Sequence, residues 1–179
     1  FNDVIETQDG HFLFVGETLS DDGDLVLPLL GQADLWVVKT DKDLNLVWSK
    51  TYGGSGPDVA KSVIETSDGE YLIAGITYSN DHDLENQNTQ GGGDGWLLAL
   101  NPNHGGIVWQ RCYGGAAEDG FVKIIKNIDQ GPPGSADQYV VFGESESSAS
   151  GNIPASNGGQ DMWVLKIYDK YISPGTGLE

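Results

Sequence analysis

Cysteine is almost missing from this sequence. Cys112 stands alone, which excludes an intramolecular disulfide and any CxxC-type zinc site, and it reads as a small buried hydrophobe. Cations are scarce as well. Nine Lys and Arg face 27 Asp and Glu in 179 residues, a net charge of −18 with a pI near 4.1. The basic stripe that neutralises phosphates cannot be assembled from so few cations, so nucleic acid is excluded as a partner, and anionic membranes are disfavoured for the same reason. Long apolar runs are absent. The longest, Leu25 to Leu30, is broken by Pro28 and falls far short of the roughly 18 residues that span a bilayer, so no membrane insertion is expected. No apolar pattern keeps a 3.6-residue period over three turns, which argues against a helical bundle.

Glycine and repetition fill the space. The 26 glycines are about twice the usual share of roughly 7%, while aromatic residues hold at 9%, so many tight turns join short, well-anchored strands. The text VIETQDGHFLFVGET at Val4 to Thr18 returns as VIETSDGEYLIAGIT at Val63 to Thr77, an offset of 63 − 4 = 59 residues. DLWVVKT from Asp34 returns as DGWLLAL from Asp94 and as DMWVLKI from Asp161. LVWSKTYGG at Leu46 to Gly54 returns as IVWQRCYGG at Ile107 to Gly115. The third copy also carries FVKIIKN from Phe121 and QYVVFGE from Gln138, separated by the Pro- and Gly-rich insertion DQGPPGSAD. The unit is thus about 60 residues long, and internal periodicity on that scale signals a repeat architecture.

Within each unit the apolar stretches are four to eight residues long and rich in Val, Ile, Trp, Tyr and Phe, which predicts strands. Asp9-Gly10 and Asp68-Gly69 sit between two such stretches and predict hairpins. A second turn, TDKDLN or NPNHGG, joins the DxW strand to the VW strand. Each unit is therefore expected to be a four-stranded antiparallel meander, the form of a propeller blade. Repeats 1–54, 55–115 and 116–177 form one domain on this reading, and the third lacks its last strand. The fold expected is all-β and β-propeller-like, with β-trefoil and β-prism as the alternatives. Both faces of every blade are expected to be buried through Val4, Phe12, Phe14, Trp36, Val38, Val63, Leu72, Ala74, Trp96, Leu98, Ile124, Val141, Trp163 and Leu165. The chain opens at Phe1 inside a strand pattern and closes on Leu178-Glu179, which resembles a cloning scar, so a fragment with open edge strands is expected. Self-association through those edges follows as an expectation.

These motifs, DxWxxK, VWxxxYGG and IETxDGxxxxxG, resemble the tandem repeats of secreted and surface proteins of Gram-negative bacteria that are taken to build β-propellers. The resemblance covers nearly the whole chain and implies a propeller in a bacterial extracellular protein. Ala99, Asn101, Gly105 and Trp109 are also similar to the tryptophan-docking motif of quinoprotein propellers, with Asn in place of Asp. That motif concerns how blades dock and implies no quinone cofactor. Such folds carry many unrelated activities.

Candidate sites follow from the repeat. Asp34, Asp94 and Asp161 each stand two residues before a Trp, and a residue needed in every copy reads as structural: its carboxylate accepts backbone N–H groups and sets where the strand begins. Trp36, Trp96, Trp163, Trp48 and Trp109 recur at fixed positions and are expected to pack between blades. The loops at Leu19 to Leu25 and Tyr78 to Asn88 align, and in the second Asp81, Asp83 and Glu85 have the alternate spacing that suits a hard cation, with calcium the natural candidate. The aligned segment of copy three, Ser148 to Ile153, keeps only Asn152 of that set.

His11, His82 and His104 occupy unrelated repeat positions, and no GxSxG elbow or P-loop is present, so no catalytic constellation is implied. A glycan site would use residues that break the repeat, such as Tyr78, His82, Tyr168 or Tyr171. Three functions are carried forward: an extracellular binding or scaffold module for a protein or glycan, a secreted hydrolase or lyase acting through acidic rim residues, and a spacer for an adjacent domain.

Overall fold

A computed structural model describes residues 1–20, 29–127, 137–148, 150–152 and 159–168. They form eleven strands and no α-helix, in three open antiparallel sheets. Sheet 1 is β1 (Asp3–Glu6), β2 (Phe12–Thr18), β3 (Asp34–Thr40) and β4 (Leu46–Tyr52). Sheet 2 is β5 (Asp58–Glu65), β6 (Tyr71–Thr77), β7 (Asp94–Leu100) and β8 (Ile107–Tyr113). Sheet 3 is β9 (Asp119–Lys126), β10 (Gln138–Ser145) and β11 (Asp161–Tyr168). A single 3₁₀ turn, His82–Leu84, lies between β6 and β7.

The Asp-Gly pairs do make hairpins, but through a longer loop than the two-residue turn. Gly10 and Gly69 have φ of +75° and +85°, whereas Asp9 and Asp68 do not enter the left-handed region. The N–H of Gly10 donates to Thr7 O, and that of Thr7 to His11 O, at 2.8 Å each, closing a turn around residues 7–10. In register, Gly16, Gly75 and Gly143 face Trp36, Trp96 and Trp163 respectively on the neighbouring strand, so in each sheet the third-strand indole lies opposite a residue without Cβ.

The sheets stack face to face, with sheet 2 in the middle. One core joins Leu13, Val15, Leu35 and Val37 of sheet 1 to Val63, Ile73, Trp96 and Leu98 of sheet 2. A second joins Leu72, Ala74, Leu97 and Ala99 on the other face of sheet 2 to Phe121, Val141, Trp163 and Leu165 of sheet 3. A β-trefoil would need a closed barrel and a β-prism one core common to three sheets; open sheets with two separate cores are found instead.

This arrangement corrects the expected core. Among the described residues only the middle sheet has both faces covered, and β7 is buried along its whole length. On the outer face of sheet 1, Val4 is 51% exposed, and Phe12, Phe14, Trp36 and Val38 are only half-buried. The residues of opposite parity, Leu13, Val15, Leu35 and Val37, carry that sheet's core. The other residues of the expected core, from Val63 to Leu165, are buried.

Candidate functional site

The rim where β4 leaves for β5, and β8 for β9, concentrates the polar chemistry. After Tyr52 and Tyr113 the chain turns through Gly53-Gly54-Ser55-Gly56 and Gly114-Gly115-Ala116-Ala117, exposing four successive backbone N–H groups at each junction. Gly53 N–H donates to Asp83 Oδ2 (3.1 Å), Gly54 to Asp58 Oδ2 (2.8 Å), Ser55 to Asp81 Oδ1 (2.7 Å) and Gly56 to Ser79 Oγ (2.9 Å). At the second junction Gly114 N–H donates to Asn152 Oδ1 (2.8 Å), Gly115 to Asp119 Oδ2 (2.6 Å), Ala116 to Ser150 Oγ (2.9 Å) and Ala117 to Ser147 Oγ (2.9 Å). The hydroxyls of Ser79 and Ser147 in turn donate to Asp58 and Asp119, each at 2.7 Å. Both networks are the same device, in which the loop after the second strand of a following sheet latches onto the turn leaving the preceding one. Gly54 has to be glycine, because a Cβ there would collide with the Asp81 carboxylate.

Asp58 and Asp119 were not singled out by sequence reasoning. Their signal is a Gly-Gly-x-x-x-Asp spacing present at both YGG turns, read only as far as the second glycine.

Asp34 and Asp94 sit beside these turns, fully buried. Asp34 Oδ2 accepts the Leu30 N–H and Asp94 Oδ2 the Gln90 N–H, both at 2.7 Å, so each carboxylate captures the amide four residues before it and fixes the start of its strand. Burial pushes the carboxyl of Asp34 up against the pull of the Leu30 and Gly31 amides, with further upward pressure from Asp83. Burial likewise raises Asp58, to which the Asp34 charge adds. Asp94 is lifted to about 6, by burial first and then by the nearby Asp119 carboxylate, against the opposing Gln90 amide. Each junction therefore holds a buried pair of acids, Asp34 with Asp58 and Asp94 with Asp119. Asp161, the third of the aspartate series, is half-buried at the edge of a hollow on sheet 3.

Of the residues expected to bind a cation, Asp81 and Asp83 come together, but their acceptor oxygens face the amides of Ser55 and Gly53, and Glu85 is exposed beyond the 3₁₀ turn. Among the described residues no three His, Cys, Asp or Glu side chains converge as metal ligands. The aligned loop in the first copy, from residue 21 onward, lies outside the described residues, as does Tyr171. Leu84, fully buried in the first core, pins the Asp81 loop in place.

The tryptophans lie at the sheet junctions. Trp96 and Trp163 are buried, while Trp36, Trp48 and Trp109 are half-buried. Trp36 Nε1 donates to Ser49 Oγ (2.8 Å) and Trp96 Nε1 to Gln110 Oε1 (3.0 Å), both acceptors lying on a fourth strand. Trp163 Nε1 has no partner among the described residues, which include no fourth strand in sheet 3. Trp48 crosses to sheet 2, where its Nε1 donates to Pro102 O at 3.2 Å and its ring packs on Gly105. Cys112 is buried, and burial first, then Asp94 and Asp58, push its thiol up, which disfavours the thiolate.

Two rim side chains depart from the repeat. Tyr78, 43% exposed, donates its hydroxyl to the Glu118 carboxylate of the next sheet; that bond and then burial raise its phenol to about 12. His82 is exposed on the same loop with φ of +50°. No protein-family model and no curated protein matches this chain.

Proposed function

We propose that the three sheets are consecutive blades of a propeller-type array, and that the protein is a non-catalytic binding or scaffold module of a secreted or surface kind, presenting rim loops to a glycan or protein. The observation that carries this reading is the use made of the rim acids. Asp58, Asp81, Asp83 and Asp119 accept backbone N–H groups of the turns that join one sheet to the next, and Asp34 and Asp94 those of the loops that lead into β3 and β7. Their chemistry is spent on holding the strands and the sheets together. What remains for recognition is what departs from the repeat, Tyr78 and His82, an aromatic face and an imidazole on one loop. The acid surplus and the motif resemblance support an extracellular setting.

One observation favours a second reading, a hydrolase or lyase acting on glycans. The Asp94 carboxyl, at about 6, has the proton affinity of a general acid. Against it, Asp94 is 1% exposed, which leaves no approach for a substrate. A glycan array and a panel of chromogenic glycosides and esters separate the two. Retention on glycans that falls at least tenfold in a Tyr78→Ala/His82→Ala variant with unchanged melting, and no turnover, supports the module. Turnover abolished by Asp94→Asn overturns it.

A further inference from the structure

We propose that Asp68-Gly69, in the turn between β5 and β6, is a modification site at which the chain rearranges to isoaspartate, while a side-chain clamp protects the equivalent Asp9-Gly10 from the same reaction. This inference does not depend on what the rim loops bind.

The chemistry sets the requirements. The amide nitrogen of the residue after an aspartate attacks the side-chain carbonyl carbon, the nitrogen gives up its proton, and the carboxyl hydroxyl leaves as water, closing a five-membered succinimide. A second water then opens the ring. Opening at the old side-chain carbonyl restores aspartate, and opening at the main-chain carbonyl gives isoaspartate, whose main chain runs through Cβ and Cγ and whose free carboxylate sits on Cα. The mass is unchanged. The carboxyl must be protonated for its hydroxyl to leave, and a glycine on the following side leaves the nitrogen unhindered and the backbone free to turn. A carboxylate that is held ionised, or a backbone fixed in a strand, does not meet these requirements.

Five Asp-Gly pairs occur in the sequence, and Asp22-Gly23 lies outside the described residues. Asp94 and Asp119 open β7 and β9, buried, with their carboxylates on the amides of Gln90 (2.7 Å) and Gly115 (2.6 Å). Their glycines are fixed in the ladder opposite Ile76 and Glu144. Two equivalent turns remain, with left-handed Gly10 and Gly69. Asp9 is clamped in the first. The Thr7 hydroxyl donates to Asp9 Oδ1, His11 Nδ1 lies 2.9 Å from that oxygen, and the buried Lys39 donates its Nζ to Oδ2 at 2.8 Å. Burial works to raise the Asp9 carboxyl, but Lys39, Thr7 and His11 outweigh it and hold the group far below its ordinary range.

The second copy has lost the clamp. Glu70 stands where His11 stands in the first copy, and Ala99 stands in place of Lys39. Asp68 is exposed, and its carboxylate has no partner among the described residues. The nitrogen it needs is also held more loosely, since Gly69 N–H reaches Thr66 O at 3.1 Å where Gly10 N–H reaches Thr7 O at 2.8 Å. The turn is tied to both neighbouring sheets: Gln8 donates its side-chain amide to Thr66 O at 3.2 Å, and Ser67 N–H reaches Asp137 Oδ2 at 3.0 Å. A main chain lengthened at residue 68 strains both ties, so the product should melt below the parent.

The test is to age the full chain, folded and in urea, at about pH 5, where a free carboxyl still populates its acid form. Isoaspartate is then counted at each site by peptide mapping, from methyl transfer by an isoaspartyl methyltransferase and from resistance to an aspartate-specific protease. In urea the two sites should react at similar rates. In the folded protein Asp68 should continue to react and Asp9 should fall behind by about tenfold or more, because each unit by which the clamp lowers Asp9 cuts its acid form about tenfold. Lys39→Met, which keeps the length of the side chain and removes its charge, should release Asp9, and His11→Ala, at a partly exposed position, should do so in smaller measure. Asp68→Glu, which would have to close a six-membered ring, should be inert at residue 68. Equal rates at the two sites of the folded protein overturn the proposal, as does an Asp9 that stays unreactive in both clamp variants.

Discussion

The carboxylate of Asp3 and the ammonium of Lys123 meet at 3.0 Å across 120 residues of chain. Both stand at one position of the repeat, and the third member of that position, Ser62, donates its hydroxyl to the same carboxylate oxygen at 2.9 Å. First strands of three different sheets are thereby tied at a single atom, Asp3 Oδ2, which also accepts the Val63 N–H at 3.1 Å. The sequence departs from strict repetition here, and the departure is complementary: acid, hydroxyl, base.

Removing the acid and removing the base should therefore have unequal effects. Burial works to raise the Asp3 carboxyl, but Lys123, Ser62 and Val63 outweigh it and hold the group below its ordinary range. Asp3→Ala leaves the buried Ser62 hydroxyl and the Val63 amide without an acceptor, a loss of about 1–3 kcal/mol. Lys123 is half-exposed, so Lys123→Ala should cost under about 1 kcal/mol. Urea denaturation of both single variants and the double variant measures the coupling. Equal losses would mean that the ion pair, and not the hydrogen bonds to sheet 2, is what Asp3 contributes.

The latch loops predict which substitutions are silent. Asn152 does in sheet 3 what Asp83 does in sheet 2, and Ser150 does what Asp81 does. An Asp81→Ser/Asp83→Asn variant should therefore melt within about 2 °C of wild type, whereas Asp83→Ala, which strands the Gly53 amide, should cost about 1 kcal/mol. The same pair decides on calcium. With carboxylates acting only as amide acceptors, melting in millimolar calcium and in chelator should coincide. A calcium-dependent rise lost in the double variant would assign the loop to a metal instead.

Acid pH should stabilise this protein before it destabilises it. Folded Asp94 binds its proton with a pKa of about 6, above the 3.8 of an unfolded carboxyl, so the folded state takes up a proton between these values. That contribution is fully present below about pH 4 and is lost as pH rises through about 6, up to roughly 3 kcal/mol at about 1.4 kcal/mol per unit. Asp34 and Asp58 are raised in the same direction. Asp3, Asp9 and Asp137 are lowered, so their contribution is present above about pH 4 and lost below it. Urea midpoints should peak between about pH 4 and 6. Asp94→Asn should flatten the fall between pH 5 and 7 and leave the variant more stable than wild type at pH 7. Parallel curves for the two proteins would show Asp94 ionised throughout.

Much of this was legible in the sequence because it is repeated. Strands, hairpins and the loops between them follow from three aligned copies, and Asp34 and Asp94 read as strand-starting acids for the reason the structure gives, an amide four residues upstream. What was illegible was position in the stack. Trp36 and Trp96 occupy the same place in their units, yet only Trp96 is buried, because a repeat specifies a face and a neighbouring sheet must cover it. The alternate acids Asp81 and Asp83 were ambiguous for a related reason: successive backbone amides and a cation both ask for oxygens at every second residue, and the donor side of the bond, the YGG turn, lies about 30 residues earlier in the chain.

The two junctions solve one packing problem with opposite sizes, and this yields a sharper test of the stack. At the first, Leu35 of sheet 1 stands where Gly95 stands in sheet 2, and Ala60 of β5 where Phe121 stands in β9. Large with small becomes small with large. Phe121→Ala should lose about 3–5 kcal/mol through the cavity left among Gly95, Tyr113 and Trp163. Gly95→Leu alone drives a side chain into the Phe121 ring and should cost about 1–3 kcal/mol. Combined, the two substitutions rebuild the first junction's pairing at the second, so the double variant should be more stable than the sum of the single losses predicts by at least about 1 kcal/mol. Chemical denaturation of the four proteins closes the cycle. Strict additivity would mean that Phe121 and residue 95 do not share a site, and the equivalence drawn between the two junctions would fall with it.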